Sequence, residues 1–147
     1  MTTGSVRWLV GATVAVVLTS CASPADPAQV LDELDDTPLA CVTDPVTREQ
    51  SAGCDTAGGA LVVSEHGDRG EVETAAALHL REDAAGRLID GGSWLLLAED
   101  PQLAVVAADL LDGRVVTSLE QVTGGCPDDL ERSERLRDAL GDPGWCP

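Results

Sequence analysis

The sequence contains no Phe, no Tyr, no Lys and no Asn. Without Lys, Schiff-base chemistry and lysine nucleophiles are excluded. Without Asn there is no N-glycosylation sequon. Without Phe or Tyr the core must be built from Leu, Val and Ala, with three Trp as the only large rings. Basic charge is also scarce. Nine Arg face 26 acidic side chains, for a net charge of -17. Such a chain cannot neutralise phosphates, which argues against nucleic acid, and it lacks the polybasic patch that docks on anionic lipid. No CxxC pair occurs, which removes the close thiolate spacing of zinc sites and redox-active dithiols.

What is present points to one small folded domain. The chain has 147 residues and is 44% apolar, too hydrophobic for a disordered acidic tail. Residues 1–20 read as a secretory signal. Arg7 is followed by an apolar run, Trp8 to Leu18, too short to span a membrane and right for the hydrophobic segment of an export signal.

Leu18-Thr19-Ser20-Cys21 closes that segment. It resembles the bacterial lipobox, in which a branched apolar residue and two small ones precede a Cys that is lipidated and becomes the first mature residue. Together with the Ala-, Asp-, Arg- and Gly-rich composition, this is similar to the small envelope lipoproteins of actinobacteria. The resemblance covers about 20 residues. It implies fatty acylation (palmitate) at Cys21, attachment to the cell membrane and exposure on its extracytoplasmic face. Residues 21–26 then form a tether, and residues 27–147 the domain. Loss of residues 1–20 removes one Arg and no acid, so the net charge becomes -18.

Once Cys21 is assigned to the lipid, Cys41, Cys54, Cys126 and Cys146 remain, an even set in an oxidising compartment. Four cysteines allow three connectivities. Pairs Cys41–Cys54 and Cys126–Cys146 close the short local loops and are the expected disulfides.

Asp26-Pro27 and Asp100-Pro101 are helix starts, each an N-cap followed by Pro in the first turn. The pattern predicts helices over about 27–36, 71–85, 101–112 and 127–140. For 71–85 both periodicities fit, and three consecutive Ala with an early Glu favour helix. Gly86 and Gly113 are expected to end two of these helices, and Gly141 with Pro143 the last. Asp128–Arg132 and Glu131–Arg135 are acid-before-base pairs at helical spacing. Strands are expected at 60–64, 87–90, 93–98 and 114–119. Gly91-Gly92 makes the middle two a hairpin, with Trp94 entering the core. Residues 39–60 read as a disulfide-closed loop. The resulting order is that of a split βαβ, ferredoxin-like α+β sandwich: a four-stranded antiparallel sheet carrying two helices on one face, with extra N- and C-terminal helices and two disulfides.

Chemistry is sparse. Ser93 follows Gly91-Gly92 but lacks the G-x-S-x-G elbow. His66 and His79 match no metal spacing. Glu65, Asp68 and Glu71 cluster around two Gly in a loop, the oxygen-rich setting a hard cation prefers, without EF-hand order. Trp145 beside Cys146 reads as a plug over the second disulfide. The expectation is therefore a non-enzymatic binding or accessory lipoprotein with no catalytic residues, metal or cofactor. Its acidic field would steer a cationic protein partner. The alternatives are a cation-binding lipoprotein using the Glu65–Glu71 loop and a secreted hydrolase using carboxylates or Ser93.

Overall fold

The computed structural model describes residues 26–147. The signal segment 1–20, Cys21 and the tether up to residue 25 lie outside the described residues. The element order is α1 (Pro27–Asp32), β1 (Val46–Arg48), β2 (Ser51–Thr56), β3 (Gly59–Glu65), α2 (Arg69–Arg81), β4 (Leu88–Asp90), β5 (Trp94–Ala98), α3 (Pro101–Leu110), β6 (Arg114–Val116), α4 (Leu119–Thr123) and α5 (Leu130–Leu140). The strands form one antiparallel sheet in the order β1-β2-β3-β5-β4-β6. Among the described residues, no helix is long and apolar enough to cross a membrane.

The helix starts follow from their caps. Asp26 Oδ1 accepts from Ala28 N at 3.0 Å. Asp100 Oδ1 accepts from the N–H groups of Gln102 and Leu103, with Pro101 in the first turn. Asp68 caps α2 two residues earlier than expected. α5 begins at Leu130, not at Pro127, because Asp129 is its cap. Asp128 is thus outside the helix, and Arg132 turns instead to the buried Glu73 of α2. Gly141 ends α5 in the left-handed conformation as expected. Gly86 and Gly113 do not end helices. α2 and α3 stop earlier, and the left-handed residues just past their caps are Asp83 (φ 64°) and Asp112 (φ 52°) rather than glycines.

The sheet differs from the expected one in two ways. First, it has six strands rather than four. The segment read as a loop holds β1 and β2. β2 alternates faithfully, with Ala52, Cys54 and Thr56 buried and Ser51, Gly53 and Asp55 on the other side. Its residues are small or polar, so the hydrophobic period is faint. Second, helices cover both faces. The βαββαβ order is present over β3-α2-β4-β5-α3-β6, but β6 docks outside β4. α2 and α3 therefore make their crossovers in the same lateral direction from oppositely directed strands. The right-handed crossover preference then puts them on opposite faces.

Two cores result. α1 and α3 pack on one face, where Leu31, Leu34, Leu61, Val63, Ile89, Trp94, Leu96 and Leu103 are buried together. α2, α4 and α5 pack on the other, around Val72, Ala76, Leu88, Leu95, Val116, Leu119 and Leu136. The expected shortage of large side chains is met by close approach. A Cβ on Gly91 would lie 2.0 Å from Trp94 Cε2, and one on Gly113 2.5 Å from Ile89 Cγ2. The Gly91-Gly92 hairpin and the buried Trp94 are as expected.

Both expected disulfides are present. Cys41–Cys54 ties the chain after α1 to β2. Cys126–Cys146 ties the chain before α5 to the C-terminal segment. Trp145 packs against the second core. The strand expected over 114–119 is cut to three residues. Gln121 Oε1 accepts from Thr117 N at 2.7 Å and helps to start α4, which the sequence pattern did not show.

Candidate functional site

Strand register places residues in rows across the sheet, and paired residues share a face. One row on the α2 side runs Val46, Gly53, Val62, Leu97, Leu88, Val116. The next runs Arg48, Ser51, Ser64, Leu95, Asp90, Arg114. Leu88, Leu95, Asp90 and Val116 are buried beneath helices. The β1–β3 ends of the same rows are not. Val46 is 68% exposed and Val62 47%. Helices thus cover only half of this face.

The uncovered half holds a trough of about 430 Å³. Gly53 forms its floor, and Val46 and Val62 flank it. Arg48 and Ser51 stand toward one end, Asp55, Ala60 and Thr43 toward the other. Among the described residues, neither the Arg48 guanidinium nor the Asp55 carboxylate has an ion-pair partner. A second cavity, about 640 Å³, lies at the start of α2, lined by Gln50, His66, Thr74, Ala75 and Arg135 together with the helix-start residues.

His66 lines the second cavity. Its Nε2 is 3.1 Å from Ser64 Oγ. Burial lowers its pKa, against the raising influence of Glu71 and Glu65, so the ring is neutral at pH 7. A hydroxyl beside a neutral imidazole is a nucleophile–base pair, two of the three parts of a triad. The orienting third group is missing, because among the described residues nothing hydrogen-bonds the other ring nitrogen. Ser93 is adjacent only through its backbone, where its carbonyl accepts from His66 N at 3.0 Å. The structure therefore pairs His66 with Ser64 and not with Ser93. His79 lies along α2, also lowered by burial.

The acidic loop is used by the fold. Asp68 Oδ1 accepts from Glu71 N at 2.9 Å, and Glu71 Oε2 accepts from Gly67 N at 2.7 Å. Two of its three carboxylates thus start α2 rather than converge on a common point. Among the described residues, one close group of ligand-type atoms joins Glu120 to Cys126 and Cys146. Those sulfurs are bonded to each other, so no thiolate is offered there.

A third cluster is structural. Asp90, at the end of β4, receives both Nη atoms of Arg69 at 2.9 and 2.7 Å, and Arg114 Nη2 at 3.4 Å. Burial alone would raise its pKa. The Arg69 hydrogen bonds, the Gly92 N–H and the two guanidinium charges outweigh burial and hold the carboxyl below its ordinary value. The same arginines donate to the carbonyls of Val122 and Gln121, so Asp90 fastens α4 to the sheet.

Comparison with protein-family models, curated proteins and solved structures finds no match. The trough residues Arg48, Gly53, Asp55 and Val62 were not singled out by the sequence pattern. The available signal was the strict alternation of 51–56, with a glycine in the middle of its outward set.

Proposed function

We propose that the chain is a lipid-anchored extracytoplasmic lipoprotein, and that its folded part is a non-enzymatic binding module working through the open half of its sheet. The observation that carries the binding reading is the uneven cover of one sheet face. Helices seal β5, β4 and β6, while β1–β3 keep an apolar trough in solvent. Exposed apolar surface bounded by polar groups is the usual mark of an interaction site. The anchoring reading is supported by the lipobox-like end of the signal segment and by two disulfides, which persist in oxidising compartments. Net charge near -18 favours a partner with basic surface through long-range steering.

The test has two arms. Metabolic labelling with a palmitate analogue, followed by membrane fractionation, should mark the wild type and leave Cys21→Ser unlabelled and soluble. Photo-cross-linking in the native envelope from a probe at Val62 should recover a recurrent partner that a probe at the buried Val116 does not. An unlabelled wild type rejects the anchor, and equal recovery from the two positions rejects the binding surface.

A further inference from the structure

Building on the binding-module reading, we propose that the trough over Gly53 takes a short free peptide, three or four residues long, with small aliphatic side chains. Three observations carry this.

The first is Gly53 itself. It lies inside β2 and is paired on both sides without a bulge, to Val46 and to Val62. Its backbone does not enter the left-handed region, so the chain conformation does not demand glycine. A glycine within a regular strand marks a place where another group approaches the backbone closely. Here β3 supplies part of that approach, since a Cβ would lie 3.1 Å from the Leu61 carbonyl oxygen and 3.3 Å from Val62 Cγ2, and the bare backbone also leaves the floor of the trough open. The second is the apolar flank. Val46 and Val62 are large, exposed and aligned on either side of the glycine. The third is charge. Arg48 and Asp55 are of opposite sign and belong to rows four residues apart along β2. Four residues at about 3.4 Å each separate those rows by roughly 13–14 Å. An extended peptide of four residues has about the same span.

The ligand class follows from these constraints. A terminal carboxylate would meet Arg48, with the hydroxyl of Ser51 in the same row. A terminal ammonium would meet Asp55. The aliphatic middle would lie over Gly53. A fatty acid satisfies Arg48 and leaves Asp55 without a counter-charge. A diamine does the reverse. Only a ligand charged at both ends answers both.

The experiment is calorimetric titration of the full-length, disulfide-intact protein with tetraalanine, its N-acetyl form, its C-terminal amide and octanoate. Tetraalanine should bind saturably at one site. Each blocked form should bind about two- to fivefold more weakly, the effect of one exposed ion pair. Octanoate should not compete. Arg48→Gln should erase the penalty of amidation and keep that of acetylation, and Asp55→Asn the converse. Gly53→Leu should abolish binding, and because its Cβ would press on the Leu61 carbonyl, thermal melting is used to check that it folds. Should Gly53→Leu fail to fold, the two exposed charge variants decide the matter. Equal binding of free and blocked peptides, or effective competition by octanoate, overturns the assignment. If tetraalanine does not bind while the Val62 probe still captures a protein, the peptide is wrong and the binding module stands. If neither occurs, both fall.

Discussion

Arg69, the first residue of α2, grips Asp90 at the end of β4 with two hydrogen bonds, 2.9 and 2.7 Å long. Asp90 is nearly buried, with 4% of its side chain exposed, while Arg69 keeps 40%. Removing the carboxylate strands a guanidinium that water can partly reclaim. Asp90→Ala should therefore cost about 2 kcal/mol, below the 3–5 of a fully buried pair. Urea denaturation measures it. The sign with pH follows from a depressed native pKa. The contribution is present above about pH 4 and is lost as pH falls below that through the native value. Asp90→Asn should lack this acid-side loss.

The two histidines make a separate prediction at milder pH. Burial lowers both native pKa values below the unfolded value of about 6.5. The unfolded chain then binds more protons in the intervening window. Stability tied to them is complete above about pH 6.5 and declines as pH falls from there toward the native values. The urea midpoint of the wild type should drop between pH 7.5 and 5.5 relative to a His66→Gln, His79→Gln double variant. Parallel curves for the two proteins would refute the assignment.

Gly91 and Gly92 are neighbours with different duties. A Cβ at Gly91 collides with the Trp94 ring. At Gly92 there is space, and the constraint is a φ of +96°. Gly91→Ala should cost about 1–3 kcal/mol through overpacking and change the near-ultraviolet dichroism of Trp94. Gly92→Ala should cost about 1 kcal/mol through backbone strain alone and leave that spectrum intact.

Each disulfide closes a short loop, of sequence separation 13 and 20. Replacing either pair by Ser should lower stability by about 2–4 kcal/mol. The local effects should differ. Loss of Cys41–Cys54 should speed amide exchange in 42–56, beside the trough. Loss of Cys126–Cys146 should free the end of the chain, where Arg137 Nη2 donates to the Cys146 carbonyl at 3.1 Å. Non-reducing peptide mapping with an Arg-specific protease checks the pairing first.

The sequence made visible those parts of the fold where local chemistry and tertiary demand agree. Asp-Pro starts, the Gly-Gly hairpin and both disulfides emerged where expected because each is decided within a few residues. β2 was missed for a physical reason. Its buried set, Ala52, Cys54 and Thr56, is small because α1 packs close above it, and small residues barely register as a hydrophobic stripe. The face carrying α3 was missed because it depends on where β6 docks, a choice no local pattern encodes. The candidate site was invisible for the same cause. It exists only when β1, β2 and β3 lie side by side with nothing above them. The Arg132 ion pair shows a third kind of limit. Helical spacing favoured Asp128, but a buried carboxylate 59 residues away wins because it has no water to turn to.

The Cys41–Cys54 bond also decides how the domain carries mechanical load. A pull on the N-terminal end of the described chain enters through α1, which packs on β2 and β3. Once α1 is drawn out, tension reaches Cys41 and passes through sulfur directly into Cys54 of β2. Residues 42–53, including the whole of β1, lie outside that force path. The segment that walls the trough therefore stays slack while the sheet behind it bears the strain.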